Sequence, residues 1–286
     1  MIPRPFELHS PATVAEAVAM LKRLRDPKVL AGGQSLVPLM KLRLVSPANL
    51  VDIGRIRGLR YVRKEGGRLA IGSMTTHHDL AASPLVAARC PALAEAAAKV
   101  GDVQVRNRGT IGGTSCHADP SADVPAVLVS LDAEFRVASP SGRRSITAER
   151  FFRDIFTTDL RRNEVLTEVR VPVLPRRTGG AYLKLQRAKS DLAIVGVAAT
   201  VTLDRAGACR DARIGLAGVG PTPIRATEAE EELEGEEPTD AVLARAGDKA
   251  AEASDPSSDI RGSAEYKRAM VKVFVERAVR QGLPRV

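Results

Sequence analysis

The sequence predicts an α+β fold built from two lobes and a further C-terminal domain. The chain has 286 residues, of which 44% are hydrophobic, which is enough for two or three compact units with their own cores. In the first 177 residues, apolar positions at helical spacing alternate irregularly with short apolar runs typical of strands. From residue 181 onwards, three strand patterns are followed by three helical patterns, an order typical of α+β domains.

The first predicted lobe spans residues 1–57. Val14, Ala17 and Val18 recur at helical spacing after Thr13, a residue type that commonly starts helices. The expected elements are a helix over 13–25, a buried strand over 28–31, a helix over 37–44 and a strand over 50–53.

The second predicted lobe spans residues 58–177. Two apolar runs flank Glu65-Gly66-Gly67, which is the pattern of a β-hairpin. The elements expected after this hairpin (59–72) are helices over 76–82, 91–100 and 126–131 and strands over 133–138 and 165–171.

The third predicted unit spans residues 178–286 and follows an exposed linker over 176–180. Its expected strands cover 181–187, 194–203 and 212–218, and its expected helices cover 226–233, 239–253 and 266–281.

Two glycine-bearing stretches, residues 31–36 (AGGQSL) and 110–114 (TIGGT), are the strongest indication of a binding site. Glycine allows positive φ and lets a ligand approach main-chain N–H groups, and successive N–H groups form anion-binding concavities. Each stretch alone is also compatible with an ordinary turn. Together they favour one long anionic ligand held at two points, such as a dinucleotide pyrophosphate.

Further motifs accompany these stretches in a fixed order: QVRNRGTIGGT (104–114), HADPSADVPA (117–126), YLKLQR (182–187) and DLAIVGVA (191–198). The set resembles the flavin-binding signatures of the FAD subunit of molybdenum hydroxylases, the family of carbon monoxide dehydrogenase medium subunits and the xanthine dehydrogenase FAD domain. The resemblance covers nearly the whole chain. It implies the two-lobed FAD-binding fold of the vanillyl-alcohol oxidase and p-cresol methylhydroxylase type, followed by a C-terminal α+β domain.

The resemblance also implies roles for individual residues. The two glycine loops would wrap the FAD pyrophosphate with main-chain N–H groups, Asp123 would bond ribityl or ribose hydroxyls, and Lys184 would lie near the flavin. Thr114 replaces the usual Asn, and Leu192 stands where several members carry Tyr or Phe beside the isoalloxazine. The expected cofactor-binding residues are Leu30, Ala31, Gly32, Gly33, Gln34, Ser35, Leu36, Val100, Thr110, Ile111, Gly112, Gly113, Thr114, His117, Asp119, Ser121, Asp123, Lys184 and Leu192.

The implied function is electron transfer within an oxidoreductase complex. A large subunit would hold molybdopterin and a small subunit two [2Fe–2S] clusters, in a dimer of heterotrimers, and this chain would pass electrons through FAD to an external acceptor. No catalytic acid or base and no metal ligand is expected in this chain. Two alternatives stay open: a stand-alone flavin oxidase or reductase, and a binding protein whose glycine loops are structural. The substrate and the acceptor are not encoded here.

Composition excludes several other classes. The net charge is +9, yet the chain has no Trp and an acidic run at 228–234, which argues against nucleic-acid binding. No G-x-G-x-x-G, P-loop or G-x-S-x-G motif is present. Cys90, Cys116 and Cys209 are too widely spaced to ligate a cluster, and none is expected to be catalytic. Without a membrane-length apolar run or an evident signal segment, a cytoplasmic protein is expected.

Histidines and arginines near the motifs allow competing interpretations. His77-His78-Asp79 is predicted to start a helix capped by Thr75 or Thr76 rather than to bind metal, because adjacent side chains point in different directions. For His117, a hydrogen bond to the cofactor and a structural role remain open. Arg106 and Arg108 are expected in ion pairs rather than on a phosphate.

Overall fold

The computed structural model describes residues 2–284. The helices in this range are α1 (Val14–Arg23), α2 (Leu36–Lys41), α3 (His77–Ala82), α4 (Pro84–Arg89), α5 (Pro91–Lys99), α6 (Val103–Arg108), α7 (Ile111–His117), α8 (Asp123–Ser130), α9 (Ala148–Phe151), α10 (Thr227–Glu231), α11 (Asp240–Glu252) and α12 (Ala264–Gly282). The strands are β1 (Glu7–His9), β2 (Pro27–Leu30), β3 (Asn49–Asp52), β4 (Val62–Glu65), β5 (Arg68–Gly72), β6 (Glu134–Ser139), β7 (Gly142–Thr147), β8 (Phe152–Asp154), β9 (Thr157–Thr158), β10 (Val165–Pro172), β11 (Thr178–Leu185), β12 (Val195–Leu203), β13 (Cys209–Ala217) and β14 (Ile224–Arg225).

The N-terminal lobe is a parallel three-stranded sheet of order β1-β3-β2, packed with α1. The Thr13 side chain accepts a hydrogen bond from the Glu16 N–H (3.1 Å), so α1 begins where the sequence predicts. Its apolar face buries Ala17, Val18 and Leu21 in a core shared with β3. The lobe thereby positions β2, whose end enters the first glycine stretch.

The second lobe is an antiparallel five-stranded sheet of order β4-β5-β10-β6-β7. Its core is built on aromatic packing, with Phe135 stacked on Phe151 at a centroid distance of 3.9 Å and edge-to-face with Phe152. Helices α5, α7 and α8 bury apolar side chains in the same core. The predicted hairpin over 59–72 is confirmed as β4 and β5.

The third sheet is antiparallel, of order β11-β12-β13-β14, and α11 and α12 contribute to its core. Helix α8 of the second lobe packs against β13, where a Cβ on Gly215 would overlap the backbone carbonyl of Ala126. Close backbone approach at this glycine therefore joins the second lobe to the C-terminal unit.

Each of these three larger sheets lies within one predicted unit, which supports boundaries at 57/58 and 177/178. The boundaries themselves stay a prediction. The first predicted unit includes residue 1 and the third includes residues 285 and 286, and these three residues lie outside the described ones. The sequence missed β1, β7, β14, α4, α6, α9 and the two-stranded β8–β9 sheet. Among residues 2–284, no helix is both long and apolar enough to cross a membrane.

The contact at Gly215 leads to a stability prediction. Gly215→Ala should lower the free energy of unfolding by about 1–3 kcal/mol, because the added methyl group overlaps the Ala126 backbone. Gly58→Ala is the matched control, since nothing lies within 4 Å of a Cβ there. Urea unfolding followed by circular dichroism gives both values, and equal stabilities of the two variants would contradict this account of the interface.

Candidate functional site

The first glycine stretch runs from the end of β2 into α2. Gly33 has φ = +79°, a left-handed backbone conformation that residues with a side chain rarely adopt. This conformation turns the chain between β2 and α2. Within residues 2–284, the N–H groups at 32–35 have no hydrogen-bond acceptor. Ser35 occupies the N-cap of α2, but its hydroxyl makes no capping bond. The stretch thus presents several unpartnered donors close together.

The second glycine stretch differs from the expected loop, because residues 111–117 form helix α7 with Thr110 as its N-cap. Its N–H groups are used within the protein. Ile111 donates to the Thr75 carbonyl (3.0 Å), Gly112 to the Ser73 carbonyl (2.9 Å) and Gly113 to the Thr110 hydroxyl (3.0 Å). The prediction that this stretch wraps a ligand as an open loop is therefore wrong in its geometry.

The two stretches lie against each other. A Cβ on Gly32 would overlap the Arg108 carbonyl and lie 2.9 Å from the Gly109 Cα. A Cβ on Gly113 would lie 3.7 Å from the Ala31 side chain. The sequence-distant glycine stretches thus form one wall, and Gly32 is required because no side chain fits between the two backbones.

Three side chains, those of Lys28, Cys116 and His117, lie on β2 and at the end of α7, next to the two glycine stretches in the chain. The Cys116 side chain reaches solvent, yet enough protein surrounds it that desolvation raises the pKa of its thiol to about 12. Burial also lowers the pKa of His117, whose ring lies 5.0 Å from that of Phe156. Lys28 on β2 acts electrostatically on both groups, so its positive charge lies near them.

Sequence reasoning missed Lys28. A signal was available, since Lys28 is a basic residue in the short strand that leads into the first glycine stretch. Sequence reasoning also misplaced Arg106, which donates to the carbonyls of Val100 (3.1 Å) and Gly101 (2.9 Å) rather than forming an ion pair.

A second group of predicted residues surrounds Asp123, the first residue of α8. Its carboxylate accepts hydrogen bonds from the Tyr182 hydroxyl (2.7 Å) and the Lys184 ammonium (3.0 Å). The Asp123 and Lys184 side chains are only 3% and 2% exposed, so the ion pair is buried. Burial raises the pKa of Asp123, while Lys184 and the Tyr182 hydrogen bond oppose that rise.

The remaining predicted residues lie near this pair. Val100 ends α5, next to Lys99, whose carbonyl accepts a hydrogen bond from Lys184 (3.2 Å). The Asp119 carboxylate accepts from the Ser121 N–H (2.9 Å), and the Ser121 carbonyl accepts from the Ala193 N–H (3.3 Å). Leu192 therefore lies next to the segment that leads to Asp123, and it is 39% exposed.

His77 starts α3, and its predicted cap is confirmed as a capping box between Thr76 and Asp79. The ring is buried against Gly109, and its Nδ1 has no hydrogen-bond partner among the described residues. Burial lowers the pKa of His77 to about 4, and the positive charge of Arg106 contributes. No group of His, Cys, Asp and Glu suited to a metal ion occurs within residues 2–284.

The buried His77 makes stability depend on pH. Its pKa is about 4 in the folded protein and about 6.5 when unfolded, so the unfolded chain binds the proton first as the pH falls. The contribution is present above pH 6.5 and is lost on acidification towards pH 4, by about 3 kcal/mol in total. His77→Gln should remove this part of the dependence. Urea unfolding from pH 8 to pH 4 tests it, and parallel curves for both proteins would contradict it.

Comparison with known families covers both parts of the chain. Residues 4–174 match the family described as "FAD binding domain in molybdopterin dehydrogenase". Residues 180–281 match the "CO dehydrogenase flavoprotein C-terminal domain".

Individual relatives match over almost their whole length. The carbon monoxide dehydrogenase medium chain of Hydrogenophaga pseudoflava is 45% identical over 281 residues, covering 98% of this chain and 97% of the relative. The glyceraldehyde dehydrogenase medium chain of Sulfolobus acidocaldarius is 36% identical, covering 98% of this chain and 99% of the relative.

Solved structures agree with these matches. A carbon monoxide dehydrogenase structure from Hydrogenophaga pseudoflava superposes with a TM-score of 0.96 at 46% identity, covering 99% of this chain and 98% of that one. Quinoline 2-oxidoreductase from Pseudomonas putida 86 gives a TM-score of 0.93 at 34% identity, covering 99% and 98%. Because family models match both parts of the chain and the relatives match over almost its whole length, the chain belongs to the family of FAD-binding medium subunits of molybdenum-dependent dehydrogenases. It is an oxidoreductase subunit with FAD as its cofactor.

Proposed function

We propose that the first glycine stretch holds the FAD pyrophosphate. The N–H groups at 32–35, which have no acceptor among residues 2–284, carry this proposal. Gly32, Gly33 and Ser35 are half-buried, where donors are normally paired, and a phosphate anion would pair them. The Ser35 hydroxyl, which makes no capping bond, adds a further donor, and Lys28 and His117 lie near each other beside the stretch.

The second glycine stretch has a different role in this proposal. Its N–H groups at 111–113 are bonded within the protein, and those of Ile111 and Gly112 hold the start of α7 to residues 73–75. The Thr114 hydroxyl has no partner among the described residues and remains a donor for the cofactor.

The flavin end of the cofactor is proposed to lie by the second group of residues. Asp123 would accept hydrogen bonds from ribityl or ribose hydroxyls, because its two oxygens each have one protein donor and further acceptor capacity. Lys184 would supply positive charge near the flavin, and the exposed Leu192 would pack against it.

The proposed activity is electron transfer from a [2Fe–2S] small subunit through FAD to an external acceptor. Bound FAD supplies the redox chemistry, while the residues of this chain bind and orient it. A molybdopterin-containing large subunit would oxidise the substrate, in a dimer of heterotrimers. Relatives include medium chains and subunits of carbon monoxide, glyceraldehyde and caffeine dehydrogenases, so the substrate is set outside this chain. The free thiols of Cys90, Cys116 and Cys209 support a cytoplasmic location.

Replacing Gly33 tests the cofactor site. Gly33→Val should weaken FAD binding at least about tenfold, because a β-branched residue is strained at φ = +79° and would displace the N–H groups at 32–35. The affinity is measured by fluorescence titration of apoprotein with FAD. Gly66→Val is the matched control, since Gly66 also has positive φ (+56°) but lies in the open β4–β5 turn. Equal affinities of Gly33→Val and the wild-type chain would disprove the placement.

Purification from the native source tests the assembly. We expect two additional subunits by mass spectrometry and a visible spectrum that combines flavin bands with iron–sulfur features. A yellow protein without partners that turns over an alcohol or NADH would favour the stand-alone oxidase or reductase. A colourless protein that does not take up FAD would favour the second alternative, a binding protein whose glycine stretches are structural.

A further inference from the structure

The Asp123–Lys184 pair is part of a network of hydrogen bonds that connects β11, α5 and α8. The Tyr182 hydroxyl donates to one Asp123 oxygen, and Lys184 donates to the other. Lys184 also donates to the Lys99 carbonyl, and the Lys99 ammonium donates to the Tyr182 carbonyl. The Tyr182 N–H is held in turn by the Glu95 carboxylate (2.9 Å). Strand β11, helix α5 and the start of α8 are thus tied to one carboxylate.

Tyr182 is fully buried, and the fold makes room for its hydroxyl at one position. A Cβ on Gly196 of β12 would overlap the Tyr182 hydroxyl oxygen. Burial and the neighbouring Asp123 hold the pKa of Tyr182 well above its ordinary value. The hydroxyl therefore stays protonated and donates its hydrogen bond to Asp123. The hydroxyl is therefore fixed in both place and role.

We propose that Tyr182 is a positioning residue for the cofactor, which keeps Asp123 oriented and ionised so that the carboxylate can accept hydrogen bonds from the FAD hydroxyls. This inference rests on the proposed function and adds a residue and a pH dependence to it. A protonated Asp123 loses acceptor capacity, so FAD binding should weaken as Asp123 takes up a proton.

The groups that act on Asp123 determine the direction of the effect. Lys184, Tyr182 and Lys99 face the carboxylate and oppose its protonation, and Glu95 lies behind Lys99 and Tyr182. A hydrogen bond to a buried carboxylate stabilises its charged form. Removal of the Tyr182 hydroxyl should therefore move protonation of Asp123 to higher pH.

The experiment measures FAD affinity of the full chain from pH 5 to pH 8. Tyr182→Phe should raise the pH midpoint at which affinity is lost by about one pH unit or more. Tyr61→Phe is the matched control, because the Tyr61 hydroxyl also donates to a buried carboxylate, that of Glu168 (2.5 Å), but on the five-stranded sheet. Its midpoint should equal that of the wild-type chain.

Gly196→Ala provides an independent variant, because its methyl group displaces the hydroxyl without removing it. It should also raise the midpoint. The double variant Gly196→Ala/Tyr182→Phe should behave like Tyr182→Phe alone, since the methyl group then meets no hydroxyl.

The outcomes separate positioning from simple packing. An unchanged midpoint in Tyr182→Phe, or a loss of affinity by the same factor at every pH, would overturn the inference while leaving FAD binding intact. Additive effects of the two substitutions would also overturn it. If the wild-type chain bound no FAD at any pH, the proposed function itself would fail, and this inference with it.

Discussion

The close contact between two backbones at Gly32 is the constraint on which the candidate site depends. The Gly32 Cα faces the Arg108 carbonyl and Gly109 with no room for a side chain. This contact holds the N-terminal lobe against the second lobe next to the N–H groups at 32–35, which have no acceptor in the described part of the chain. The N–H groups at 111–113, in contrast, donate to the Thr75 and Ser73 carbonyls and to the Thr110 hydroxyl.

Charge links the C-terminal unit to the start of α8 in the second lobe. Strand β11 brings Lys184 and Tyr182 to Asp123, and the resulting pair is almost completely buried. A buried ion pair is costly to break, because the remaining charge has no partner and no water. The C-terminal unit therefore supplies both protein groups that bond to Asp123, and the close contact of Gly215 with Ala126 joins the same two units.

Local patterns predicted the strongly periodic elements well. Helix α1 and its Thr13 cap, the β4–β5 hairpin, and the capping box at Thr76 depend on neighbouring residues, so sequence spacing is enough to find them. The pattern TIGGT misled, because glycines usually interrupt helices. Here the Thr110 cap and the Ser73 carbonyl hold residues 111–117 in a helix. Lys28 was missed because the groups it acts on, Cys116 and His117, are distant in the sequence, and Arg106 was misplaced because its partners are backbone carbonyls.

The sequence by itself determined the family, the cofactor and the strongly periodic elements, because these depend on motifs and periodicities that are local in the chain. Only the tertiary structure decided which donors at 32–35 are unpartnered and which at 111–113 are already used. It also decided that Asp123 is buried between Tyr182 and Lys184. Hydrogen-bond satisfaction and desolvation depend on all neighbours in space, and residues about 60 positions apart in the chain become neighbours only when the sheets pack.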